Sequence, residues 1–93
     1  MDQAIEVVSA VRVVRPYLIE VTFTDGVHGY VDVEPYLHGE IFAPLRDPAR
    51  FAEVFVDADA GTVVWPNGAD LSPEFLYATA RSNPSRPVTG ASP

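Results

Sequence analysis

The row Tyr17, Ile19, Val21 and Phe23, apolar at every second position and backed by Leu18, Glu20, Thr22 and Thr24, has the period of a strand with one buried face. The next ten residues make it half of a hairpin. Val27, Gly29, Val31 and Val33 continue an alternating pattern after Asp25-Gly26, and residues opposite one another across an antiparallel pair must share a face. A two-residue Asp-Gly turn would set His28, Tyr30 and Asp32 against Phe23, Val21 and Ile19. A three-residue Thr24-Asp25-Gly26 loop, with Gly26 in the left-handed region, instead pairs Phe23 with Val27, Val21 with Gly29 and Ile19 with Val31. The three-residue loop is therefore expected.

Upstream, Ile5, Val7, Ser9, Val11 and Val13 alternate with Glu6, Val8, Ala10, Arg12 and Val14, a strand with apolar residues on both sides that Arg15-Pro16 ends. After Glu34-Pro35 the pattern breaks into one expected helical turn closed by Gly39. Asp47-Pro48 is a helix start, the Asp as N-cap and the Pro where a missing N–H costs nothing, with Phe51 turned inward before the helix ends near Glu53. Glu53 to Val56 and Thr62 to Trp65, joined by Asp57-Ala-Asp-Ala-Gly61, read as a second hairpin. Ser72-Pro73 repeats the helix start, with Leu71 and Leu76 placed to staple the cap, and predicts a helix to about Ala80. The order β-β-β-α-β-β-α belongs to the α+β class, an antiparallel β-rich sheet with short helices on one face. Residues 1–81 make one domain, and residues 82–93 (SNPSRPVTGASP), poor in apolar groups, are expected to form a disordered polar tail.

Thirteen acids against six arginines, with no lysine, give a formal net charge of −7. That balance repels a phosphate backbone, so no direct nucleic-acid binding is expected, while it favours encounter with a basic protein. The chain lacks cysteine and has no apolar run long enough to span a bilayer, and a cytoplasmic location is expected. Its two histidines, His28 and His38, fit no ligand spacing, the glycines form no phosphate-cradling loop, and no serine sits in a nucleophile elbow. No metal, no cofactor and no enzyme activity are expected. A small domain with exposed sheet edges gains from association, and a homodimer is expected.

Two stretches hold the candidate contact residues. In Phe42-Ala-Pro-Leu-Arg-Asp47, Arg46 either pairs with an acid such as Asp70 or is free to anchor a partner's carboxylate. In Trp65-Pro-Asn-Gly-Ala-Asp70, Pro66 holds Trp65 extended, Pro66-Asn67 suit the centre of a tight turn and Gly68 supplies freedom. Either the indole is buried and pins a strand-to-helix corner, or it is a surface aromatic that contacts a partner or ligand together with Asn67 and Asp70.

The run VTFTDGVHGYVDV, and after it FAPLRDPARFAEVFVDADAGTVVWPNGADLSPEFLY, resembles the bacterial domain of unknown function 2442 family, whose hallmark is F-x-P-L-x-D and then W-P-N-G-x-D-L. The likeness covers about Val7 to Tyr77. It implies a small α+β domain with a β-rich first half and a role as the antitoxin-like member of a pair with a small basic toxin-like protein. Some relatives carry a further helical DNA-binding domain, where this sequence has only the polar tail. The alternative is a small-ligand sensing or regulatory module built around Trp65, Asn67 and Asp70.

Overall fold

Three consecutive strands, β1 (Val8–Arg15), β2 (Leu18–Phe23) and β3 (His28–Asp32), lie side by side as an antiparallel sheet in the order of the chain. The computed structural model describes residues 7–85. In it the β2–β3 register is the expected one, with Ile19 opposite Val31 and Val21 opposite Gly29. Phe23 N donates to Val27 O at 2.8 Å across the three-residue loop, and Gly26 takes φ +93°.

β1 departs from simple alternation. Val8 faces Phe23 but Ala10 faces Thr22, so Ser9 is an extra residue, a β-bulge that moves the inward row from the even to the odd positions. Val8 is buried, and Val11 and Val13 continue its face opposite the buried Val21 and Ile19. That shift explains the apolar residues on both sides of the sequence pattern. At the other end Pro16-Tyr17 form a two-residue turn in which Tyr17 holds φ +79°, a conformation unfavourable for a side chain with a Cβ. Its ring packs edge-on against Phe51 at 5.4 Å and its hydroxyl donates to Arg46 O, which hold it there.

Beyond β3 a 3-10 turn (Glu34–Tyr36) leads to a four-residue helix α1 (Gly39–Phe42), a second 3-10 turn (Ala43–Arg46) and another four-residue helix α2 (Pro48–Phe51). Asp47 caps α2, accepting from Ala49 N at 3.0 Å. The second hairpin, β4 (Phe55–Asp57) and β5 (Thr62–Val64), makes a separate two-stranded sheet, so the antiparallel strands form two sheets where one was expected. Helix α3 (Pro73–Ser82) starts at the expected cap, Ser72 Oγ accepting from Phe75 N at 3.0 Å, and packs on β3 and β2. The core gathers Ile19, Val21, Phe23, Val31, Leu37, Phe51, Val63, Trp65 and Leu76 between these layers.

Ser82 to Ser85, counted with the tail by composition, are joined to the domain. Ser82 ends α3, Asn83 O accepts from Tyr30 N at 2.8 Å, and Pro84 bridges to Gly29, so this segment lies along the outer edge of β3. Gly29 makes that approach possible, because a Cβ there would stand 2.2 Å from Ala80 O. The rest of the expected tail, residues 86–93, lies outside the described residues.

Candidate functional site

Trp65 is 1% exposed, and its Nε1 donates to Phe51 O at 2.9 Å. The indole is thus a core group, unavailable to a partner or ligand. The chain after it turns in three residues: Gly68 N donates to Trp65 O, Trp65 N to Ala69 O and Ala69 N to Asn67 Oδ1. This repeats the bonding of the Thr24-Asp25-Gly26 loop, where Gly26 N bonds Phe23 O and Val27 N bonds Asp25 Oδ1. In both, an Asx side chain satisfies the amide two residues on and glycine supplies the left-handed step. Asn67 also spends its amide nitrogen, donating from Nδ2 to Ile41 O at 2.9 Å.

Those bonds join the two sequence stretches. Trp65 reaches α2 through Phe51 and lies edge-on to Phe42 at 6.3 Å, while Asn67 holds the end of α1 through Ile41. Arg46 and Asp70, the other candidate contact residues, are both exposed, and no ion pair joins them among the described residues. Arg46 contributes its carbonyl to Tyr17 instead. Of the four candidates, Asp70 alone lines a cavity among those described.

That cavity is an open cleft of about 370 Å³ walled by Tyr36, Phe42, Leu71 and Phe75, with His38, Asp70 and Ser72 as polar members. Each wall has a local cause. The 3-10 turn braced by Pro35 presents Tyr36, 43% exposed, while its neighbour Leu37 is fully buried and fixes the turn. Phe42 ends α1, tied down through Ile41, and Phe75 occupies the first turn of α3. Asp70 bridges to Val64, which sets the segment entering the Ser72 cap. Tyr36 and Phe75 meet edge to face at 5.2 Å, and the same two rings wall a second cleft of about 380 Å³ that continues past Asp32 and Thr79.

No arginine lines either cleft, and Asp32 and Asp70 are the charged lining residues. Glu34, Glu40 and Glu74 are exposed one or two chain positions from lining residues. Sequence patterning missed Tyr36, Phe42 and Phe75 as a group. They come from three different elements, and no periodic signal links them.

A second polar group lies on the outer face of the three-stranded sheet. Arg12 donates to Glu20 Oε1 at 2.7 Å, Glu20 bonds Ser85, and Ser85 Oγ lies 2.6 Å from His28 Nδ1. The bond from Ser85, assisted by Arg12, holds the Glu20 carboxyl below its ordinary value against the opposing effect of burial. The hydroxyl sits between imidazole and carboxylate. This chain of bonds ties Ser85 to the sheet.

A family model described as "Protein of unknown function (DUF2442)" matches residues 8–82. No curated protein and no solved structure matches the chain.

Proposed function

The chain belongs to the family of proteins of unknown function designated DUF2442, and from that premise we propose that it is a non-enzymatic protein-binding domain, the antitoxin-like member of a bacterial toxin–antitoxin pair. The observation that carries this reading is the cleft beside Tyr36 and Phe75, aromatic along its walls and charged only by carboxylates. Apolar walls supply affinity when water leaves them, and an acidic rim selects a basic partner and speeds its encounter. The net charge of −7 extends the same preference over the whole surface. No helix among the described residues is long and apolar enough to cross a membrane. The reading places both partners in the cytoplasm.

The Trp65-centred small-ligand reading has lost its observation, since the indole is enclosed and both ends of the Asn67 amide are bonded within the domain. A homodimer through the free edge of β3 is likewise disfavoured where Asn83 to Ser85 lie along it. The test is co-expression with the product of the adjacent gene. The reading expects that product to arrest growth alone, to be harmless with this chain, and to co-purify in a complex that roughly 0.5 M salt weakens. A harmless neighbour, or a toxic one that this chain neither binds nor neutralises, refutes it.

A further inference from the structure

We propose that the cleft is a socket for a guanidinium, taking one arginine side chain of the basic partner; this rests on the docking role proposed for the cleft. Three aromatic residues, Tyr36, Phe42 and Phe75, line a single opening, and Asp70 lines it with them. Tyr36 and Phe75, both lining the cleft, are set at 77° to each other, so one turns its edge to the face of the other. Phe42 is held at 76° to the buried Trp65, which backs it as a fixed wall. Ring faces carry negative potential and attract a cation placed over them. Such walls alone would also accept any apolar group.

The carboxylate is what selects. Asp70 is exposed, its side chain has no hydrogen-bond or ion-pair partner among the described residues, and no arginine lines the cleft to compete for it. A guanidinium satisfies both features at once: its plane stacks on a ring while its N–H fork meets a carboxylate. A neutral side chain would leave Asp70 facing an apolar group with its water removed. His38 and Ser72 are the further polar side chains of the lining, and neither brings a carboxylate or a guanidinium to the opening.

The probe is acetyl-arginine amide, titrated into the full ¹⁵N-labelled chain at about pH 8, with acetyl-citrulline amide as the neutral near-isostere. Saturable shifts are expected at the amides of Tyr36, Asp70 and Phe75 with the arginine probe and not with citrulline. Asp70→Asn and Tyr36→Leu, both exposed changes, should each weaken binding about five- to tenfold. Equal binding of the two probes, or unchanged affinity in both variants, overturns the socket. A partner complex lost on Tyr36→Glu but indifferent to Asp70→Asn would reject the socket and leave docking standing. Arginine-specific shifts without any complex with the neighbouring product would support the socket and reject that partner.

Discussion

Gly29→Ala isolates the contact that closes the edge of β3. A Cβ built there falls 2.2 Å from Ala80 O and 2.7 Å from Asn83 O, both backbone atoms that no rotamer change can move. Ordinary contact needs about 3.5 Å, so the end of α3 must retreat by more than about 1 Å. A retreat of that size also breaks the 2.8 Å bond from Tyr30 N to Asn83 O. Overpacking costs about 1–3 kcal/mol and the lost backbone bond about 0.5–1.5 kcal/mol, while replacing a strand glycine returns about 0.5–1 kcal/mol. The net loss is about 2 kcal/mol, or roughly 8–16 °C in Tm for a domain of this size. Thermal and urea unfolding measure it, with Gly26→Ala as the comparison. Nothing lies within 4 Å of a Cβ at Gly26, but its φ of +93° makes alanine strained, costing about 1–2 kcal/mol. Hydrogen exchange at the Tyr30 amide should quicken in Gly29→Ala and not in Gly26→Ala. A Gly29→Ala protein within about 2 °C of wild type, with Tyr30 still protected, would refute the close approach.

Trp65→Phe removes the donor to Phe51 O in a site 1% exposed, and about 1–3 kcal/mol of stability should go with it, read from urea unfolding. Asn67→Asp keeps an oxygen for the Ala69 amide but loses the donation to Ile41 O, so a loss of about 0.5–1.5 kcal/mol and faster exchange near α1 are expected. Glu20 has its pKa lowered in the folded state, so its contribution to stability is present above the unfolded glutamate value of about 4.3 and fades as pH falls through the lower folded value. Tm measured against pH should show Glu20→Gln less stable than wild type at about pH 7, with the gap closing toward about pH 3; a gap independent of pH would contradict the Ser85 and Arg12 contacts.

The parts of the fold that depend on local chemistry were legible in the sequence. The Asp47 and Ser72 caps, the Gly26 loop and the Ile19–Val31 register each involve residues within one hairpin or one helix turn. The Ser9 bulge was not legible, because an extra residue exchanges the two faces of β1 and both faces carry valines. Residues 83–85 looked like tail because backbone atoms, which composition does not report, do most of the docking. A lone glycine inside a strand was the available clue to that approach. At the candidate site Asp70 was found but Tyr36, Phe42 and Phe75 were not. Trp65 drew attention as the only tryptophan, yet its role is to set Phe42 and, through Phe51, the two helical turns before it.

The most direct measurement on the docking account is a chemical-shift map of the ¹⁵N-labelled chain titrated with the purified product of the adjacent gene. The account predicts that the shifted and broadened amides cluster at Tyr36, His38, Phe42, Asp70 and Phe75. Shifts confined to the outer sheet face around Arg12, Thr22 and His28, or no shifts at all, would contradict it.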